Sequence, residues 1–307
     1  MALHRDHKIL MVILAIVGVF AIWYLAGSAP LGTRHNPLAD PKASKLGTVW
    51  VGQTANYQVT TWATVEQTAQ VGSTAEALLR AYLAFFRLDE KAIPKGGLKL
   101  TLYRNRAQFK QKHPGLKGPE AHYAKGVSYA YVGPAEPNAT DWMLRATTLQ
   151  LNERVGRTSR ATWIDEGLAG YFGASHLEDY NLEPGKINTK AYPVKWLREL
   201  GPTGNAQADL TGGRLVPLRT LIGGQGGPNA DDRNRWYIGW WSLAHFLLHG
   251  EEGKYADGFR RLARGGSAGI ADFEREIGPV DAVQAQWYRY LQELAGQSPD
   301  GQVIVVD

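Results

Sequence analysis

The sequence predicts an α+β fold behind an N-terminal transmembrane helix. Three observations predict it. An uncharged run of eighteen residues extends from Ile9 to Ala26 after Arg5 and Lys8, period-two segments cluster early in the remaining chain, and helical periodicity dominates the rest.

With 44% hydrophobic and 21% charged residues, 307 positions suffice for a sizeable core. The absence of cysteine excludes disulfides, thiolate catalysis and Cys-ligated metal. The net charge of +5 is spread without any block of five Lys or Arg, so no nucleic-acid partner is expected.

At ~1.5 Å per residue the apolar run reaches ~27 Å, enough for a bilayer core. A signal peptide would have a shorter apolar region, and Pro30 after Gly27-Ser28-Ala29 is expected to hinder cleavage, which favours an uncleaved anchor. Residues 1–8 then form a cytoplasmic tail, 9–26 a single-pass anchor in the inner membrane, and 27–47 a linker carrying Pro30, Pro37 and Pro41. A domain at 48–298 and a tail at 299–307 follow, expected outside the cytoplasm, although Arg34, Lys42 and Lys45 partly offset the basic N-terminal flank.

Val49, Val51, Tyr57 and Val59 alternate as one or two strands. Ser73, with Glu76 three residues on, reads as a capping box opening a helix to Arg87 through Leu78, Leu79, Tyr82, Leu83 and Phe86. Strands are expected at 98–103 and 126–132, with a short helix at 106–112 between them. A helix from Asn138 to Val155 stops at Gly156, and a second, capped by Thr162 with Asp165 three residues on, runs to Gly173. The short connection makes the two neighbours.

The second of these helices, Trp163-Ile-Asp-Glu166-Gly-Leu-Ala169-Gly-Tyr-Phe172, resembles the W-x-x-E-G-x-A-x-Y-F helix of gluzincin-type metallopeptidases. It more closely resembles a bacterial family of undefined function with a peptidase MA-like domain. The resemblance extends over residues 49–294 and implies a zincin-like metallopeptidase fold, a small mixed sheet plus a mostly helical remainder. In such enzymes this Glu is the third zinc ligand. The other two come from H-E-x-x-H on the preceding helix, where histidines four apart share a face and the Glu polarises the zinc-bound water.

Relatives commonly read H-E-A-T-H-Q-L there, whereas this chain reads Arg145-Ala146-Thr147-Thr148-Leu149-Gln150-Leu151. Thr148, Gln150, Leu151 and the sixteen residues between Leu149 and Glu166 fix the register. Arg145 and Leu149 then take the ligand positions and Ala146 that of the base. A permanent cation, an alkyl group and a methyl cannot do this chemistry. No catalytic residue, metal or cofactor is expected, and Arg145 is expected to pair with Glu166 in place of the metal. Tyr171 and Tyr237 are expected to border the remnant cleft, either as ligand contacts or as core residues.

His245 and His249, four residues apart, offer with Glu166 an alternative zinc site, against which stand an apolar helix and the lack of an intervening Glu. Three functions follow: a membrane-tethered, inactive peptidase-like module binding peptide or envelope polymer, an active metallohydrolase with that relocated zinc, or a structural scaffold of the envelope.

Overall fold

The computed structural model describes residues 49–116, 118–133, 139–224, 226–229, 231–297 and 303–304. Strands β1 (Trp50–Gln53) and β2 (Tyr57–Thr61) form an antiparallel pair, from which helix α1 (Val65–Phe86) leads back to β3 (Leu98–Tyr103), parallel to β2. After α2 (Arg106–Lys112), β4 (His122–Ala124) and β5 (Val127–Tyr131) complete a mixed sheet of order β1-β2-β3-β5-β4, with β3 and β5 parallel and β4 antiparallel at the edge. Alternation sets its buried face: Tyr57, Val59, Leu98, Leu100 and Leu102 lie in the same core as Leu78, Leu79, Tyr82 and Phe86 of α1. Each such side chain contributes roughly 1.5–3 kcal/mol.

The expected start of α1 is corrected. Thr64 is the N-cap, with Gln67 completing the capping box. Glu76 instead turns inward, accepting bonds from the Thr54 hydroxyl at 2.5 Å and from the Asn56 backbone and side-chain nitrogens at 2.7 and 2.8 Å. Capping at Ser73 is thus pre-empted by a helix that begins more than two turns earlier.

Helix α3 (Ala139–Leu151) passes into a π-helical turn (Asn152–Gly156), and α4 (Thr162–Gly173) follows. Ala161, not Thr162, occupies the N-cap of α4, and it makes no side-chain cap bond. Asp165 is used otherwise, accepting from Asn152 Nδ2 at 3.1 Å and so tying α4 to the π turn. Next come β6 (Ser175–Glu178) and β7 (Asn181–Asn188), then α5 (Leu197–Leu200), α6 (Ala206–Thr211), α7 (Leu218–Gly223) and the long α8 (Arg233–His249). Helices α9 (Ala256–Arg264), α10 (Ile270–Glu276) and α11 (Val280–Gln297) close the helical part, and β8 (Val303–Ile304) pairs antiparallel with Ile187 and Asn188 of β7. Helix α4 lies at the centre, packed on α3 and on α8.

The expected fold class is therefore corrected. The described residues form an α+β fold with two sheets, the second of which (β6-β7-β8) is not anticipated by the sequence. No helix among them is long and apolar enough to cross a membrane. The longest, α1, is interrupted by Glu66, Glu76 and Arg80, and its apolar side belongs to the core. The span placed at residues 9–26 and the linker at 27–47 lie outside the described residues.

Candidate functional site

Three glycines bring α4 close to its neighbours. A Cβ at Gly167 would come within 3.1 Å of the Trp240 carbonyl oxygen, one at Gly170 within 3.0 Å of Trp241 Cβ, and one at Gly173 within 3.1 Å of Arg145 Cβ. The first two face α8 and the third faces α3. Clamped in this way, α4 presents Glu166 to α3, where the Arg145 guanidinium forms an ion pair with its carboxylate. The contact expected from the register is present.

Arg145 is almost fully enclosed, with 7% of its side chain exposed, whereas Glu166 keeps 20%. The guanidinium carbon lies 4.5 Å from the Tyr237 ring centroid and 5.9 Å from that of Trp142. Such contacts contribute about 0.5–2 kcal/mol each. Burial works against the charge on Arg145, but Glu166 and Tyr237 outweigh it and hold its pKa above the ordinary value. Ala146 is buried, its carbonyl accepting from the Ser128 hydroxyl at 3.3 Å, and Leu149 is half-buried.

The two rings against Arg145 also line a cleft of about 320 Å³. Tyr192 and Trp196 add aromatic surface, with Trp142 and Tyr192 stacked at 4.6 Å between centroids, and Lys195 and Arg233 add positive charge. At the rim Arg106 pairs with Glu120 at 2.8 Å. Tyr237 thus borders the cleft. Tyr171 does not: it is buried on another side of α4, its hydroxyl 2.9 Å from His249 Nε2 and its ring against Phe85. Five positions beyond Glu166, it points about 140° away around a helix of 3.6 residues per turn.

The three residues of the alternative zinc site each face another partner. His245 is fully committed: Nε2 lies 3.0 Å from the Gly185 carbonyl and Nδ1 2.6 Å from the Tyr290 hydroxyl. A carbonyl only accepts, so Nε2 carries the proton and Nδ1 accepts from Tyr290. His249 turns to Tyr171, and Glu166 to Arg145. Among the described residues no group of three His, Cys, Asp or Glu is placed to hold a metal ion.

Burial, reinforced by neighbouring His249 and opposed by the Gly185 carbonyl, pulls the His245 pKa down to about 3. Its folded-state value lies below the unfolded one of about 6.5, so the unfolded chain binds the extra proton between them. The stability His245 contributes is present above that window and is lost as pH falls through it. Burial has the opposite effect on two carboxyls, pushing Asp141 up to about 7 against Lys195, and Asp165 up to about 6 against Arg160 and Asn152. Their contribution is present at low pH and is lost as pH rises through those values. The His245 contribution is isolated by His245→Phe. The stability difference between wild type and variant is expected to shrink by about 3 kcal/mol from pH 6.5 to pH 4 in denaturant titrations. A difference independent of pH rules out the buried neutral imidazole.

The aromatic and cationic lining is the part of the site that motif reading missed. Trp142 lies three residues before Arg145, and Tyr192 four before Trp196, so i,i+3 and i,i+4 spacing was the available signal. No protein-family model matches this sequence, and neither does any curated protein.

Proposed function

We propose that this chain is a catalytically inactive, peptidase-like binding module that takes a peptide or envelope polymer into the cleft lined by Trp142 and Tyr237. The observation that carries the reading is the Arg145–Glu166 pair: a salt bridge stands where the resemblance calls for a metal, and the Trp142 and Tyr237 rings that flank Arg145 also line a cleft. Ala146 offers no general base and Leu149 no lone pair, so the chemistry of these positions is confined to holding the two helices together. The cleft keeps what recognition needs. Stacked aromatic faces suit sugar rings or aromatic side chains, and the cations Lys195 and Arg233 suit carboxylates, whether of a peptide or of an acidic polymer.

Trp142 and Trp196 line the cleft, so occupancy should alter tryptophan fluorescence. Titration of the full chain with solubilised peptidoglycan fragments and with a mixed peptide pool is expected to give saturable quenching by one of them. Trp142→Ala should weaken that binding by about tenfold, the effect of one lost stacking contact. Absence of binding by both, with the protein folded, favours the scaffold reading instead.

A further inference from the structure

A second groove lies where the C-terminal ends of α1 and α9 converge. It encloses about 510 Å³ and is lined by Phe85, Phe86, Arg87, Arg260, Arg261 and Arg264, with Asp257 and Gly265 completing the wall. Two of the four guanidiniums are fixed. Arg260 lies 5.1 Å from the Phe85 ring centroid and 3.1 Å from Asp257, and Arg261 pairs with Glu276 at 2.8 Å. The other two are not: among the described residues Arg87 and Arg264 make no ion pair and no side-chain hydrogen bond. The Nε of Arg260 is a further unmet donor, buried without a partner.

Four arginines against Asp257 and Glu276 leave two positive charges. The two helix ends offset about one of these, since each carries roughly half a negative charge, but that field fades within a turn while the guanidiniums reach beyond it. The helix end favours a cation at Arg87, although its backbone does not favour this residue type. It sits in the left-handed region at φ 51°, closing α1, a position that ordinarily favours glycine. The groove thus concentrates forked donors beside an apolar wall. A tetrahedral oxyanion matches such donors better than a single carboxylate does, because it accepts bidentate bonds from several guanidiniums at once.

We propose that this groove binds a phosphate-bearing anion, gripped by Arg87 and Arg264 between the fixed walls of Arg260 and Arg261. Phosphate is the shared chemistry of a soluble phosphate compound and of an anionic phospholipid headgroup, and two probes separate these sources. The full chain is titrated calorimetrically with inorganic pyrophosphate. It is also sedimented with phosphatidylcholine vesicles, with and without phosphatidylglycerol. The test variant is Arg87→Gly with Arg264→Gln, which removes both free guanidiniums while relieving the positive φ and keeping a helix former.

Saturable pyrophosphate binding that weakens about 100-fold in the variant assigns a soluble phosphate ligand. A phosphatidylglycerol-dependent increment in vesicle binding, lost in the variant, assigns a headgroup. Either effect should diminish as salt rises, because the contacts are exposed. The inference is overturned when neither probe binds, or when the variant binds as well as the wild type. Arg219→Gln, at an arginine already paired with Glu274 and Asp281, should leave binding unchanged.

Discussion

Replacing Arg145 with alanine is expected to lower the unfolding free energy by about 3 kcal/mol, near the lower end of the range for removing one partner of a buried ion pair. The reason is asymmetric desolvation. The variant leaves Glu166 facing a cavity between α3 and α4 with no counter-charge, and only the 20% of its side chain already in solvent moderates the loss. The ring contacts to Tyr237 and Trp142 disappear as well. The pair as a unit is expected to contribute much less. Arg145→Met combined with Glu166→Gln removes both charges and keeps the volume, so its stability should lie within about 1 kcal/mol of wild type. Denaturant titrations of the wild type, Arg145→Met, Glu166→Gln and the double variant give the coupling directly. A value near zero would falsify the view that this pair couples α3 to α4.

The second large effect is a gain. Arg145→His, Ala146→Glu and Leu149→His together rebuild H-E-x-x-H in the register that places Glu166 as third ligand. The triple variant is expected to bind one zinc per chain with a dissociation constant of about micromolar or tighter, against no specific uptake by the native protein. Adding Glu166→Ala should weaken that binding about 100-fold, as expected for loss of one of three protein ligands. Equilibrium dialysis provides the measurement, and it does not depend on whether hydrolysis returns. A folded triple variant that takes up no zinc shows that these positions do not converge, and the peptidase-like reading then fails while the binding cleft remains to be judged by its own test.

Local pattern made the central elements legible. β3 falls at 98–103 and α2 at 106–112, both where the sequence places them, because alternation and helical spacing there agree with burial. α3 and α4 were legible as neighbours because a short connection joins them, and the pairing of Arg145 with Glu166 because the register of the resemblance sets two opposite charges on facing helices. What escaped depends on distant partners. Glu76 reads as a cap until Thr54 and Asn56 are brought to it, some twenty residues away. β7 carries Pro184 and Gly185, so propensity argues against a strand, and its pairing with β8 joins segments more than a hundred residues apart. The cleft likewise draws Trp142, Tyr192 and Tyr237 from separate segments, and periodicity contains no term for such convergence.

The glycines of α4 bear on how the recognisable stretch should be understood. Trp163 is buried and donates from its indole to the Ala268 carbonyl at 2.7 Å, Phe172 is buried, and Gly167 and Gly170 abut α8. Every one of these is held by shape, independently of whatever sits opposite Glu166. The contact surface is tight from the α4 side, where even a methyl group added at Gly167, Gly170 or Gly173 would push against backbone or Cβ atoms of α8 and α3. The order of this stretch is thus set by steric fit, and its residues would be held in place whatever group faced Glu166.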